Sequence, residues 1–552
     1  MAAEGGRYCA QIFGTISVAV INRQNPIVPF SGCLSRRACR RAVQNELTAN
    51  FSTASEISVK NERKCKINDR SRNGHAFHRD ISLFRSLPTN PPNMSVKLPP
   101  PLKKCATRRA VLSATVTCFT LLSALSAHAS SWTGGTANWN SNGNPGWNGT
   151  GVPDAVGAAA DFTTNGNSGF TATLVAPITL GSLSYGGTGN GAFTLSPGAN
   201  SVTFNNGGSG ALVSNFSAGT GSRISLNSAS YVLADSLTIR NTNSNIVGTQ
   251  SILTGGSTVI SGTGNLILSN VSNSLSDGVI SLGGNSTFTG NVLIEKGAVI
   301  YSSSSTGLGN SSNVITLGSA GNGSASLIST SNNTTATLAN NIIVASGAGG
   351  TLLLGSNAAG TANTIYSGSV VLNGNLTVTS ERTGVNDVRF TNVISGAGTL
   401  TTSGGGNISL RGANTYSGNT VIGGGQFTLT DNAQLTFVIG ANGINNGMSG
   451  TANQTSILDG DFRFDLSGAA ANGAWNIVDV ASLNQTFGST FLVTSTLGAF
   501  TEDTNVWTLI NGATTYNFSE VTGILTATTV PEPGVSALVG VGLALVLFRR
   551  RR

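Results

Sequence analysis

The chain has 552 residues, of which 72 are Gly and only 9% are charged, so small and polar residues replace the usual charged surface. Its formal net charge of +8 suggests a nucleic-acid partner, but the positive charges are concentrated at the two ends. Between residues 130 and 530 there are 7 basic and 15 acidic side chains, so the body of the chain is acidic and nucleic acid is excluded as its expected partner.

A secretory signal peptide is predicted at residues 94–129. Met94 precedes a basic stretch and an apolar run, and the run closes on Ala127-His128-Ala129, a small-x-small pattern. We expect signal peptidase to cleave between Ala129 and Ser130. The Sec route is the simpler interpretation, and the Arg108-Arg109 pair leaves the twin-arginine route as the alternative.

Residues 1–93 precede this signal, although a signal peptide normally acts at the start of a chain. We therefore expect translation to begin at Met94 and residues 1–93 to be a mis-assigned extension. The alternative is a disordered leader.

Cysteine and histidine are confined to the part that the signal peptidase would remove. All 6 Cys and all 3 His lie at or before position 128. We therefore expect an exported chain without disulfides, thiolate or His-ligated metal sites, Cys nucleophiles or Ser-His-Asp triads.

The body is predicted to be a repetitive all-β structure. It opens with the Trp-rich residues 130–162, followed from 163 to 445 by short runs that alternate apolar and polar residues between Gly, Asn and Ser turns. This alternation is typical of many short strands. No Pro occurs between Pro197 and Pro531, so every backbone donor is available for parallel pairing.

One pattern occurs three times in this body: Asn, one or two further residues, an aromatic, Thr or Ser, Gly and a strand rich in β-branched residues. The first, second and third copies span 285–294, 363–372 and 414–422, and the similar stretches "ISGTGNL" and "ISGAGTL" precede the first and third. We expect the Gly to permit a turn, the Asn to bond its own backbone and the aromatic to pack on the adjoining coil. Such self-similarity indicates a solenoid. The motif residues are Asn285, Phe288, Gly290, Asn363, Tyr366, Gly368, Asn414, Tyr416 and Gly418.

These units resemble the autotransporter-associated β-strand repeat, most closely at Ile394–Leu429. The Trp-rich opening is also similar to that of such proteins. The resemblance implies a right-handed parallel β-helix with coils about 4.8 Å apart, and a cap over the first coil built by Trp132, Trp139 and Trp147.

Residues 446–529 contain longer strands rich in aromatic residues, and we expect a separate, small antiparallel β region that closes the solenoid. Within it, Asp459, Asp461 and Asp465 could bind Ca²⁺, and carboxylate pairs in such a fold could act as a glycosidase acid and base. We favour a solvated outer face instead, with Phe462 and Phe464 on the inner side of the same strand.

Two other charged groups, Glu295-Lys296 and Asp387 with Arg389, are interpreted as isolated surface charges. Carboxylates clustered in one concave groove would instead favour an enzyme. We therefore predict no catalytic residue, no metal and no cofactor.

The chain ends on Pro531-Glu532-Pro533, an apolar stretch at 534–548 and four Arg residues. As a helix the apolar stretch is about 22 Å long, short of the ~30 Å hydrocarbon core, so it spans only with membrane thinning or snorkelling arginines. The arginines would stay on the cytoplasmic side and leave the Pro-Glu-Pro link outside.

This tail resembles the PEP-CTERM sorting signal of Gram-negative bacteria. The matching residues are Pro531, Glu532, Pro533, Arg549, Arg550, Arg551 and Arg552. The resemblance implies transient anchoring in the inner membrane, processing by a membrane-embedded exosortase, and a link to extracellular polysaccharide and biofilm. A plain C-terminal membrane anchor is the alternative.

The sequence as a whole predicts a non-enzymatic structural or adhesive protein of the cell surface or extracellular matrix, with extracellular polysaccharide as a candidate partner. The alternatives are a polysaccharide-processing β-helix enzyme, either a lyase or a glycoside hydrolase, and a simple membrane-anchored surface protein.

Overall fold

The structure of the chain is a computed structural model that describes residues 129–141, 145–148, 151–162, 169–226, 230–301, 307–451, 454–531 and 535–550. The predicted leader and most of the predicted signal peptide, with Ala127, lie outside the described residues, as do Glu532, Pro533, Arg551 and Arg552.

The described residues form a parallel β-solenoid of about 13 turns with almost no helix, which confirms the predicted all-β solenoid, whereas its right-handed coil and a transmembrane helix stay predictions. The strands are short because turn residues interrupt each apolar-polar run. In chain order the elements are β1 (Ala129–Trp132), β2 (Ala137–Asn138), β3 (Trp147–Asn148), β4 (Ala159–Phe162), β5 (Phe170–Thr173), β6 (Ile178–Leu180), β7 (Ser182–Tyr185), β8 (Ala192–Ser196), β9 (Ser201–Phe204), β10 (Ala211–Asn215), β11 (Arg223–Leu226), β12 (Ser230–Leu233), β13 (Leu237–Asn241), β14 (Ile252–Thr254), β15 (Val259–Gly262), β16 (Leu266–Asn270), β17 (Ile280–Leu282), β18 (Val292–Tyr301), β19 (Ile315–Leu317), β20 (Ala325–Ser329), β21 (Ala336–Leu338), β22 (Ile342–Val344), β23 (Leu352–Ser356), β24 (Thr364–Tyr366), β25 (Val370–Leu372), β26 (Leu376–Ser380), β27 (Asp387–Phe390), β28 (Ile394–Gly396), β29 (Leu400–Ser403), β30 (Asn407–Leu410), β31 (Ala413–Asn414), β32 (Thr420–Ile422), β33 (Gln426–Leu429), β34 (Gln434–Val438), β35 (Met448–Gly450), β36 (Gln454–Leu458), β37 (Asp461–Asp465), β38 (Gly473–Asn476), β39 (Leu483–Phe487), β40 (Val493–Ser495), β41 (Gly498–Ala499), β42 (Thr501–Asp503), β43 (Val506–Asn511), β44 (Thr514–Ser519), β45 (Ile524–Thr529) and α1 (Val535–Arg549).

The coils have three faces, because successive strands of one coil join successive parallel ladders. The first face holds β1, β4, β7, β10, β13, β16, the start of β18, β19, β22, β25 and β28, and then β31, β34, β37 and β40. The second face holds β2, β5, β8, β11, β14, β17, the end of β18, β20, β23, β26, β29, β32 and β35. The third face holds β6, β9, β12 and β15, and then β21, β24, β27, β30, β33, β36 and β39.

The core runs along the inside of the coils as columns of stacked side chains. Parallel pairing places Ile239 between Val213 and Leu268, and all three are fully buried. Because alternate residues of a strand point to opposite sides, the residues between them face outward. The alternation in the sequence therefore becomes an apolar interior and a polar outer surface.

Buried polar side chains form a second kind of column, at the corner between the first and second faces. Asn215, Asn241 and Asn270 end β10, β13 and β16 and lie in register. Asn241 Nδ2 donates to Asn270 Oδ1 at 2.8 Å and to the Asn243 carbonyl at 3.1 Å. We call this column the Asn ladder. It satisfies corner carbonyls that strand pairing leaves free, so burying these amides is not penalised.

The Trp-rich opening closes the first coil, as predicted. The rings of Trp132 and Trp139 lie 5.0 Å and 4.8 Å from that of Trp147, and all three are buried over Phe162. The opening also belongs to the solenoid itself, because β1 and β2 pair in parallel with β4 and β5. Aromatic rings thus cover the first described coil.

At the other end, parallel pairing continues well past the predicted boundary at residue 445. β36 and β37 pair in parallel with β39 and β40, so the coils extend to Ser495. Phe462 and Phe464 of this region point inward, and the parallel pairing continues unchanged. The predicted antiparallel region is present but smaller: it is the sheet β38-β45-β44-β43-β42. Phe518 of this sheet packs on Phe462 and Phe464 and so closes the last coils.

The tail forms the predicted helix, α1, which has 15 residues. Among the described residues, the structure has no helix with both the length and the apolar run needed to cross a membrane.

We predict that Asn241→Ala destabilises the solenoid by about 2–4 kcal/mol, because it leaves buried partners of the Asn ladder unsatisfied. Asn245→Ala is the matched control, since its amide makes one exposed bond two residues beyond the buried Asn243, and we expect a change within ~0.5 kcal/mol. Urea unfolding followed by circular dichroism measures both. Equal stabilities of the two variants would show that the ladder contributes nothing specific.

Candidate functional site

The repeated motif occupies corners of the solenoid. In the first copy, the Thr289 amide donates to the Gly262 carbonyl at 3.0 Å; in the third, the Ser417 amide donates to the Gly396 carbonyl at 2.8 Å. Each of these copies therefore lies on an Ile-Ser-Gly corner of the preceding coil, which explains why "ISGTGNL" and "ISGAGTL" precede them.

The copies do not share one face. The second copy turns from the third face (β24) to the first (β25), whereas the third copy turns from the first face (β31) to the second (β32). The motif therefore specifies a type of corner, and the distance between copies is not a whole number of coils.

The motif glycines are needed for close approach and not for an unusual backbone angle. None of the three has a positive φ. An added Cβ would lie 2.1 Å from a carbonyl oxygen of the preceding coil at Gly290, 2.0 Å at Gly368 and 2.2 Å at Gly418. The expected turn is present, but it requires glycine because one backbone packs directly on another.

The motif asparagines have three different environments. Asn414 is buried, accepts from the Ile394 amide at 3.0 Å and donates to its own segment at the Gly412 carbonyl, at 2.8 Å, as expected. Asn285 is exposed, and half-buried Asn363 accepts from the next coil.

Counted back from the aromatic, the counterpart of Asn414 in the first copy is Ser286. This buried hydroxyl accepts from the Ile260 amide at 3.3 Å. The shared requirement is a buried acceptor two residues before the aromatic, which Ser or Asn can satisfy.

The motif aromatics Phe288, Tyr366 and Tyr416 are buried. Tyr366 stacks on Phe390 of the next coil with ring centroids 5.0 Å apart. The Tyr416 hydroxyl lies 2.6 Å from Thr420 Oγ1.

A buried cation lies near this packing. Arg382 Nη2 donates to Thr364 Oγ1 at 2.8 Å, and within the described residues its Nε and Nη1 have no hydrogen-bond partner. Burial lowers the pKa of Arg382, raises that of Tyr301 to about 12 and raises that of Tyr366 well above its usual 10. No sequence pattern indicated this cluster, because its members lie in three different coils.

The predicted processing residues lie at the two margins of the folded body. Ala129 and Ser130 begin β1, and Ser130 is buried with its hydroxyl bonded to the Gly151 carbonyl. Pro531 is exposed beyond β45, while Arg549 and Arg550 are exposed at the end of α1.

Asp459, Asp461 and Asp465 do not converge on a cation site. Asp459 Oδ1 accepts from Thr490 Oγ1 at 2.8 Å, and Asp465 Oδ1 accepts from the Ser467 amide at 3.1 Å. Bonds from Ser467 lower the pKa of Asp465, whereas burial and Asp431 raise that of Asp461. Across the described ranges, no group of three or more His, Cys, Asp or Glu could hold a metal ion.

Along β37, Phe462 and Phe464 point inward, whereas Asp461, Arg463 and Asp465 point outward. This arrangement matches the predicted solvated outer face.

A half-open cleft of about 300 Å³ lies on the outer side of the third face, across β27, β30 and β33. Its polar lining comprises Asp387, Asn407, Ser409, Arg411, Gln426, Thr428 and Thr430. Parallel register places these side chains above one another, because Asp387 pairs with Asn407 and Asn407 pairs with Gln426.

Asp387 organises the charges of this cleft. Its Oδ1 lies 2.7 Å from Arg389 Nη2, and its Oδ2 lies 3.4 Å from Arg411 Nη2 and accepts from the Ser409 hydroxyl. Arg411 Nε also donates to Ser409 Oγ at 3.3 Å. The group therefore holds two guanidinium cations around one carboxylate.

The expectation that Asp387 and Arg389 are isolated was incomplete, because it omitted Arg411. Arg389 pairs with Ser409 in the next coil, and Arg411 follows Ser409 on the same outer side. Aligning successive coils by their inward residues would have placed the three charges together.

No family model matches this chain, and no curated protein matches it. The resemblances to the PEP-CTERM signal and to the autotransporter-associated repeat therefore stay predictions.

We predict that Gly418→Ala destabilises the protein by about 1–3 kcal/mol, because its Cβ would meet the Gly398 carbonyl oxygen at 2.2 Å. Gly256→Ala is the matched control, since nothing lies within 4 Å of a Cβ at that position, and it should be neutral or slightly stabilising. Thermal and urea unfolding compare the two. If Gly418→Ala and Gly256→Ala have the same free energy of unfolding, the coils are not in tight contact at this corner.

Alkaline pH should unfold the solenoid as its buried tyrosines ionise. Burial raises the pKa of Tyr231, Tyr301, Tyr366 and Tyr416, so each favours the folded state while protonated. This stability is fully present below pH ~10; it is lost as the pH rises through about 12 for Tyr301, and through the raised pKa of each of the other three. Absorbance of tyrosinate should therefore appear for these residues together with loss of the far-ultraviolet β signal. Their ionisation at pH ~10 in an intact fold would contradict this expectation.

Proposed function

We propose that this protein is exported, processed at both ends and delivered to the cell surface or extracellular matrix of a Gram-negative bacterium, where it acts as a non-enzymatic structural or adhesive right-handed β-solenoid. The processing partners would be signal peptidase and an exosortase-like enzyme, and extracellular polysaccharide is the proposed matrix partner.

The observation that carries the proposal is the uncovered apolar surface of α1. Seven large apolar side chains from Val539 to Phe548 are 55–75% exposed. An apolar helix requires burial in lipid or in another protein, so a lone exposed one implies a partner outside the described fold. Arg549 and Arg550 at its end suit the cytoplasmic membrane surface. A 15-residue helix would need local thinning or snorkelling, which suits transient anchoring.

The junction between body and tail supports processing. β45 ends at Thr529, and the next residues, Val530 and Pro531, are exposed. An enzyme can therefore reach this link without unfolding the body. At the other end, cleavage before Ser130 would leave the strand partners of Ser130 and Ser131 in place.

The composition of the outer surface favours adhesion over catalysis. Asp387 is the one carboxylate that lines the cleft on the third face, and it is already bonded to Arg389, Arg411 and Ser409. Glycoside hydrolysis by the usual route needs two carboxylates across the scissile bond. The outward Thr, Ser and Asn side chains instead suit many weak contacts along a polymer, which sum to useful avidity. A polysaccharide-processing enzyme and a plain membrane-anchored protein are the alternatives.

Intact-mass measurement of protein recovered from the extracellular fraction, with both termini sequenced, tests the proposal. We expect a chain that begins at Ser130 and ends near Pro531. A membrane-bound chain that keeps the C-terminal arginines would leave only the plain-anchor alternative, and a cytoplasmic chain that keeps residues 1–93 would refute export.

A further inference from the structure

The cleft across β27, β30 and β33 borders the charged group of Asp387, Arg389 and Arg411, of which Asp387 and Arg411 line it. Between residues 130 and 530 the chain has 7 basic and 15 acidic side chains. Two of the 7, Arg389 and Arg411, surround Asp387 and leave the group with one excess positive charge. A site of this sign on such a body selects against cations and attracts anions.

Arg411 is the side chain positioned to meet a ligand. It lines the cleft, and 39% of its side chain is exposed. Its bonds to Asp387 and Ser409 use Nη2 and Nε, so within the described residues Nη1 keeps its donors for another acceptor. These bonds also fix the guanidinium plane, so less side-chain entropy is lost when it binds a carboxylate.

Besides Gly384, Val385 and Asp387, the rest of the lining is hydroxyl and amide, and it is repeated from coil to coil. Asn407, Gln426 and Thr428 face the cleft from two successive coils. Adjacent strands lie about 4.8 Å apart, which is close to the length of one sugar ring in a polymer. The cavity of about 300 Å³ is at the small end for ligand sites and open to solvent, which suits one or two units of a chain that continues past it.

We propose that this cleft binds a carboxylate-bearing sugar unit of an acidic polysaccharide. Arg411, supported by Asp387 and Ser409, binds the carboxylate, and Asn407, Gln426 and Thr428 bind ring hydroxyls. The inference rests on the proposed matrix function, because it names the class of polysaccharide that the surface takes. Each contact is weak, and retention comes from a polymer that engages several protein copies.

Calorimetric titration of the full chain in mild detergent at low salt, with tri-galacturonate as the probe, tests the inference. We expect binding that Arg411→Gln weakens about tenfold, as for loss of a hydrogen bond to a charged group. Arg240→Gln is the matched control, because it removes the same charge from an exposed outward position of β13 and should leave binding unchanged. The methyl ester of the probe should bind at least about tenfold more weakly, since it keeps the hydroxyls and loses the charge.

Thr428→Trp provides a second variant that keeps both arginines and fills the cleft. It should abolish binding while circular dichroism and the unfolding midpoint stay unchanged. Three results would overturn the inference. The first is no binding by the parent chain, and the second is an equal loss of binding in Arg240→Gln. The third is equally tight binding of tri-glutamate, which would show attraction to charge without sugar contacts.

The outcome is independent of the export test. A correctly exported and trimmed chain that ignores acidic sugars would refute only this site, whereas a sugar-binding chain retained in the cytoplasm would refute only the proposed function.

Discussion

Every feature of this protein depends on the stacking of one coil directly on the next in parallel register. Each strand must present its hydrogen-bonding groups to the coil before and the coil after, about 4.8 Å away. That spacing leaves no room for bulk at a tight corner, which is why the Cβ that Gly290, Gly368 and Gly418 lack would collide with a neighbouring carbonyl. It also places equivalent positions of successive coils directly above one another, so each inward side chain must pack well on its counterpart in the next coil.

The same constraint explains why polar groups occur inside and outside the coils in columns. Buried amides at one corner satisfy each other and the carbonyls of neighbouring coils, as Asn241 does with Asn270. On the outer side, register brings Asp387, Asn407 and Gln426 into one row. A side chain introduced in one coil therefore acquires neighbours from coils that are distant in sequence. The charged cleft on the third face is a consequence of this arrangement.

Alternation and turn residues predicted many short strands, and internal repetition predicted a solenoid, because these signals act within one strand or one repeat. The inward Phe462 and Phe464 followed from the same alternation. The parallel β-helix and the Trp-rich cap followed instead from the resemblance to the autotransporter-associated repeat. The extent of the coils past residue 445 was not predicted, because pairing partners depend on register and not on composition. The ion pair between Arg411 and Asp387 was missed for the same reason, since predicting it requires the coil length. The buried Arg382 had no local signal at all.

The two closed ends have a consequence for assembly. Indole rings cover the first described coil, and the antiparallel sheet packs its Phe518 on the last coils. A second copy that joined either end by parallel pairing would first have to displace these side chains, which disfavours fibrils that grow by end-to-end templating. Contacts between copies are then favoured along the polar faces, and the number of coils sets the length of those faces.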